Sequence, residues 1–168
     1  MSETAADPTV HLEARLEPRD GWRAETCTLA RALDVLRTKS AMLVLREAFY
    51  GAARFDEFVA RTELSEPVVA ARLRELVADG LLERAPYREP GQRARQGYAL
   101  TEMGADLFPA LAALMQWGDR WLEPSAVRLE HHGCGAPVEV ALRCTAGHAL
   151  ASSADVGLAR KPRDTAER

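Results

Sequence analysis

Three groups of residues in this 168-residue chain have types and spacings suited to chemistry. The first is a short run, Ser65, Glu66 and Val68, followed by Arg72 and Arg74, joined further on by Arg93 and Arg95. Guanidinium groups recognise phosphate and guanine edges bidentately, and small or polar residues at a helix start can reach base edges. The second is Cys27, placed where a helix should begin, and the macrodipole at such a position favours a thiolate. The third is His131, His132, Cys134, Cys144 and His148. Thiolate and imidazole are the preferred donors of tetrahedral zinc. The arrangement is His-x-Cys, nine residues, then Cys-x-x-x-His, which is also compatible with a metal-free hairpin; we read it as metal-free, with His132, Cys134, Cys144 and His148 the zinc alternative. No Gly-rich phosphate loop, spaced carboxylate set or nucleophile with a base stands out, so we read no enzyme here.

The elements that must carry these groups follow from periodicity. Phe55 to Arg84 reads as a short helix (Asp56–Arg61), a tight turn, a second helix and the start of a strand. Ser65 suits an N-cap, Glu66 puts negative charge in the first turn, and Pro67 is tolerated there because that turn lacks intrahelical acceptors. Val69, Leu73, Leu76 and Val77 recur at spacings of three and four and form one apolar stripe. Glu66, Ala70, Arg74 and Ala78 leave the other face slim, as a helix entering the major groove requires. Asp79-Gly80 closes the helix, with Gly80 suited to a left-handed position.

Upstream, Thr26 should cap a helix from Cys27 to about Thr38, with Leu29, Ala32, Leu33 and Leu36 on its apolar face. Ser40 should cap a second, Ala41 to Tyr50. Downstream, Leu82–Tyr87 and Gly97–Leu100 flank a Pro-Gly turn and read as an antiparallel hairpin, with Tyr87 and Tyr98 able to pair across it. Between Arg84 and Tyr98 four arginines oppose one glutamate, 4 − 1 = +3. Thr101 should cap a long helix to about Leu122, kinked or broken near Pro109. It presents Leu107, Phe108, Leu111, Leu114, Met115, Trp117 and Trp121, an apolar girth too wide for one protomer, so a homodimer is expected through Leu107, Leu111, Leu114, Trp117 and Trp121.

Composition sets the frame. A 47% apolar content supports a real core, and no run approaches a membrane span. The polar N-terminus is no secretory signal, three cysteines argue against a disulfide scaffold, and a cytoplasmic protein is expected. The net charge of −3 leaves the distribution of charge to speak for nucleic acid, and lysine occurs only at Lys39 and Lys161. The expected organisation is a flexible arm (1–24), a helical DNA-binding and dimerisation domain (25–123), a small β appendage (124–150) and a disordered tail (151–168). The fold class is mainly α, an α+β winged helix-turn-helix with a long C-terminal dimerisation helix.

Four stretches make the pattern specific: Cys27 before Ala32-Leu33-Asp34-Val35-Leu36, LREAFYGAARFDEF, RLRELVADGLLER with a following Tyr87, and YALTEMGADLFPALAALMQWGDRW. Together they resemble the HxlR family of bacterial transcriptional regulators over residues 26–123. The resemblance implies a homodimer that binds double-stranded DNA as an inverted repeat, with one recognition helix per subunit in the major groove and a wing beside the backbone. It also implies that Cys27 can act as an oxidant or electrophile sensor, as in some members, or that a small molecule serves as effector. Two positions depart from the pattern. Ser40 stands where many relatives carry tryptophan. In the appendage, which resembles cysteine knuckles of a subgroup, Gly147 stands where a second cysteine is expected. The alternative reading is a winged-helix protein-interaction module without specific DNA binding.

Overall fold

The computed structural model describes residues 9–16, 19, 22–87 and 95–161. Two compact units divide the chain, residues 25–138 and the two ends, 1–24 with 139–168.

The larger unit begins with α1 (Thr28–Leu36) and α2 (Lys39–Phe49). Both starts differ from expectation. Cys27, not Thr26, occupies the N-cap of α1 and makes no side-chain cap bond. Arg37 then takes a positive φ of 52°, rare for a residue with a Cβ and costing on the order of 1–3 kcal/mol. That turn leaves Thr38 extended, so Thr38 rather than Ser40 caps α2, its Oγ1 accepting from the Ala41 amide at 3.2 Å. The helix therefore starts two residues before Ala41.

α3 (Phe55–Thr62) and α4 (Glu66–Ala78) follow, joined through Glu63 in the left-handed region. Gly80 adopts φ +77°, as the Asp79-Gly80 stop requires. Val44, Leu45, Phe58, Val69, Leu73, Leu76, Leu81 and Leu82 are fully buried together and form the core. At about 1.5–3 kcal/mol per large side chain, this cluster is the main favourable term of the unit.

β2 (Leu82–Tyr87) pairs antiparallel with β3 (Arg95–Leu100), two residues longer than expected. The register sets Arg84 opposite Tyr98 and Tyr87 opposite Arg95, so the two tyrosines are not partners. Tyr87 instead lies over Gly97, and Tyr98 meets Phe58 edge-on at 6.0 Å between ring centroids.

The C-terminal helix is broken, as Pro109 demands: α5 (Glu102–Ala105) precedes α6 (Phe108–Trp121), with Pro109 in the first turn of α6. Thr101 caps α5 through Oγ1, which accepts from the Gly104 amide at 3.0 Å and donates to the Gly80 carbonyl at 2.6 Å. The end of α4 and the start of α5 are thus held by one hydroxyl.

Residues 129–138 close a small turn, with His131 N–H donating to the Ala136 carbonyl and Val138 N–H to that of Leu129. The second unit contains β4 (Leu142–Arg143) paired antiparallel with β5 (Ala149–Leu150), and β1 (His11–Leu12) paired in parallel with β6 (Gly157–Leu158). Where the sequence suggests an arm and a tail, their described parts pair with each other. The appendage likewise divides after Val138. A two-residue pairing between segments so distant in sequence leaves no periodicity to read.

Gly104 and Gly118 should respond oppositely to alanine. A Cβ at Gly104 would stand 2.1 Å from the Leu81 carbonyl oxygen, whereas none of the non-local atoms lies within 4 Å at Gly118. In denaturant unfolding, Gly104→Ala should cost about 1–3 kcal/mol, and Gly118→Ala should gain about 0.5–1 kcal/mol from helix propensity. Equal effects would contradict this packing.

Candidate nucleic-acid interface

The recognition element is built by burying one side of α4 and leaving the other free. Val69, Leu73 and Leu76 are at most 1% exposed, while Ser65, Glu66, Pro67, Val68, Arg74 and Ala78 are exposed. Ser65 takes the extended N-cap backbone, but its hydroxyl makes no cap bond. Thr62 seals the preceding turn: its Oγ1 donates to the Phe58 carbonyl at 2.6 Å, and Leu64 tucks towards the core.

α3 is fixed by a group that a sequence reading passes over. Glu57 Oε2 accepts from the amides of Ala53 and Arg54, each at 3.0 Å. Those backbone bonds, with Arg61 beyond, hold its carboxyl below the ordinary range. The associated stability is full above the unfolded carboxyl pKa, near 4.3, and is lost as pH falls through the depressed folded value. Glu57 stands at the third position after the N-cap as in a capping box, but the N-cap is Arg54 rather than Ser, Thr, Asp or Asn, so the sequence does not mark it.

The arginines fall into two groups. Arg74 is exposed and Arg95 is exposed at the start of β3, and neither takes part in an ion pair among the described residues. Arg72 instead turns inward. Its Nη1 lies 2.8 Å from Glu75 Oε2 and 3.4 Å from Thr38 Oγ1, so it ties α4 to the start of α2. Arg84 sits over the Tyr98 ring at 5.3 Å, a stem of the wing rather than its tip. Arg93 lies outside the described residues. A second tie was not legible in the sequence: Arg37 Nη2 donates to both carboxylate oxygens of Asp79, at 3.1 and 3.2 Å, at the C-cap of α4. Together Arg37 and Thr38 hold the recognition helix to the α1–α2 link.

The apolar residues expected at a dimer interface also separate. Leu111 is buried and Leu107 packs against the protomer's own core, whereas Leu114, Trp117 and Trp121 are 58, 57 and 63% exposed. Leu29 and Leu33 on α1 are similarly uncovered at 66 and 56%.

Cys27, Cys134 and Cys144 are free thiols. His131 Nδ1 lies 3.2 Å from Cys134 Sγ, and Cys144 Sγ lies 3.4 Å from His148 Nδ1. His131, not His132, is thus the histidine that meets Cys134. Among the described residues no three His, Cys, Asp or Glu side chains converge as a metal site. No helix there is long and apolar enough to cross a membrane.

A three-helix core, a helix-turn-helix and a two-stranded wing define a winged helix-turn-helix protein. The chain belongs to the HxlR family: the model of the HxlR-like helix-turn-helix matches residues 35–126. It is 40% identical over 126 residues to an HTH-type transcriptional regulator of Mycobacterium tuberculosis (strain ATCC 25618 / H37Rv), covering 73% of this chain and 78% of that protein. It also resembles the candidate transcription factor PA1607 in its crystal structure, with 37% identity and a TM-score of 0.69 over 83% of this chain and 96% of that one. A second solved structure, the candidate transcription factor PA1374 of Pseudomonas aeruginosa, matches at 28% identity and TM-score 0.57 over 84% of this chain and 96% of that chain. Both structural matches exceed the range of the family model, so flanking segments share the likeness. The protein is therefore a transcriptional regulator of the HxlR type, and DNA is the partner its family implies.

The two helix arginines should differ in what they support. Arg72→Ala should lower unfolding stability by about 1 kcal/mol, because a partly shielded Glu75 loses its partner. Arg74→Ala should leave it within about 0.5 kcal/mol. Chemical unfolding of both variants checks this, and the reverse order would refute the assignment.

Proposed function

We infer that the protein is a dimeric, cytoplasmic repressor that binds an inverted-repeat operator. The observation that carries this reading is the two-sided α4, apolar and buried on one side, slim and exposed on the other, beside a strand bearing Arg95. Ser65, Glu66 and Val68 meet base edges at the helix start, Arg74 reaches a guanine edge or phosphate, and Arg93 and Arg95 neutralise phosphates. Arg72 serves to hold the helix.

Dimerisation rests on Leu114, Trp117 and Trp121 of α6 together with Leu29 and Leu33 of α1. Five large apolar side chains more than half exposed on two helices are more than a monomer leaves in water. Leu114→Asp or Trp117→Asp should yield monomers that stay folded. Leu111→Asp should instead lower stability, since that residue is buried in the protomer. Sedimentation analysis separates these outcomes; a monomeric parent protein at micromolar concentration would refute the dimer.

Cys27 is the oxidant-responsive candidate, exposed at the N-cap of α1. Diamide or a quinone should weaken DNA binding by the parent protein and leave Cys27→Ser unaffected. An equal response in both would exclude this thiol.

The helix and the wing are distinguished by titration against the promoter beside the gene and its single-base variants. Arg95→Ala should weaken all sequences alike and lower the magnitude of the log-affinity against log-salt slope by about one, since a neutralised phosphate releases close to one counterion. Changes at Glu66, Val68 or Arg74 should alter base preference, with about 1–3 kcal/mol lost at the position read, symmetrically in two half-sites. Failure to retard any such DNA would favour the protein-interaction alternative.

A further inference from the structure

The link between α1 and α2 borders a cleft of about 340 Å³ whose lining combines aliphatic and cationic side chains. Leu33, Leu36, Met42 and Leu114 line it together with Arg37, Thr38 and Lys39. Among the described residues the lining holds two cations, one hydroxyl and no carboxylate. Its volume falls in the range that takes a small ligand, and its composition, mostly apolar with a few convergent polar groups, is that of a ligand site. Lys39 is exposed and forms no ion pair among the described residues.

We propose that this cleft binds a small amphipathic carboxylate, with its apolar body against Leu33, Leu36, Met42 and Leu114 and its carboxylate between Lys39 and Arg37. The same Arg37 holds Asp79 at the end of the recognition helix through two bonds from Nη2. A ligand carboxylate therefore competes with Asp79 for that guanidinium. Its backbone contributes as well: at φ 52° Arg37 is in a conformation that a bound anion, or the loss of the Asp79 pair, can release. Thr38, next in the chain, caps α2 and contacts Arg72 of α4. Occupancy of the cleft is thus felt at both ties between the α1–α2 link and the recognition helix. The consequence for DNA rests on the regulator reading above; binding of the carboxylate does not.

The competition makes an unusual prediction. Removing the internal carboxylate frees Arg37, so Asp79→Asn should tighten ligand binding. Asp79 stands at a helix C-terminus, where the macrodipole disfavours a carboxylate, so the asparagine variant retains its fold.

The test uses the full chain without DNA, titrated calorimetrically with 2-naphthoate and with the uncharged isostere 2-naphthamide. The parent protein should bind one naphthoate per chain and the amide about tenfold more weakly or less. Lys39→Met should weaken naphthoate by about tenfold, and Asp79→Asn should strengthen it by about fivefold or more. Circular dichroism melts of each variant establish that the fold is kept. Absence of naphthoate binding at millimolar concentration overturns the proposal, as does equal binding of acid and amide. Leu33 and Leu114 also belong to the face assigned to a second copy. If naphthoate shifts the sedimentation of the protein while Asp79→Asn has no effect on binding, the cleft is part of that interface and the proposal falls. A DNA arm then follows: naphthoate should weaken operator retardation by the parent protein and not by Asp79→Asn. Failure of the parent protein to retard the DNA without ligand would count against the regulator reading, whereas unaltered retardation by the parent protein with naphthoate bound would overturn the competition alone.

Discussion

Val69, Leu73 and Leu76 fix how α4 is rotated about its axis, and the outward surface of the helix depends on that rotation. Three side chains at helical spacing, none more than 1% exposed, give the helix a single favourable seating against α2 and α3. Turning it by one residue, about 100°, would expose leucine and bury an arginine, losing roughly 1.5–3 kcal/mol per apolar group before the cost of the buried charge. The outward set is therefore determined by the inward set. Ser65, Glu66, Val68 and Arg74 face solvent because the apolar residues between them cannot.

Rotation alone does not fix where the two ends of α4 lie. That is done by polar groups outside the helix. Thr101 holds the C-terminal end through the Gly80 carbonyl, and Arg37 holds it from the other side through Asp79. Arg72 ties the middle to Thr38. Each of these bonds is partly exposed and individually modest, on the order of 1 kcal/mol. A helix seated by a strong core and located by weak ties can shift without unfolding, which is a property that a regulated DNA-binding element needs.

The α4 stripe was legible because apolar burial imposes a period of 3.6 that sequence displays directly. Its stop at Asp79-Gly80 and the break at Pro109 were legible for the same kind of reason: glycine and proline have backbone limits of their own. The start of α2 was not. It depends on Arg37 adopting a positive φ, which arginine does not advertise, and the sequence reading places the cap at Ser40 instead of Thr38. The contacts of Arg72 were hidden for a related reason. Helical spacing puts it near the exposed edge, but spacing does not reveal that Glu75 and Thr38 lie within reach. Tyr87 and Tyr98 illustrate register: with Leu82 paired to Leu100, Tyr98 falls opposite Arg84 and Tyr87 opposite Arg95, a pairing that composition alone does not set.

The apolar surface shows where periodicity reaches its limit. The α6 pattern marks Leu107, Leu111, Leu114, Trp117 and Trp121 alike, because a sequence has no means of stating which apolar residue belongs to which contact. Burial divides them. Leu107 and Leu111 complete the protomer, and Leu114, Trp117 and Trp121 remain in water with Leu29 and Leu33. A protomer that leaves this much apolar surface uncovered on two helices gains by association, at about 25 cal/mol for each Å² removed from water. Those helices flank the α1–α2 link, and the same link holds the recognition helix by Arg37 and Thr38. α1 is therefore coupled to α4 in two ways, through Val35 and Leu36 on the shared core and through the polar ties of Arg37 and Thr38.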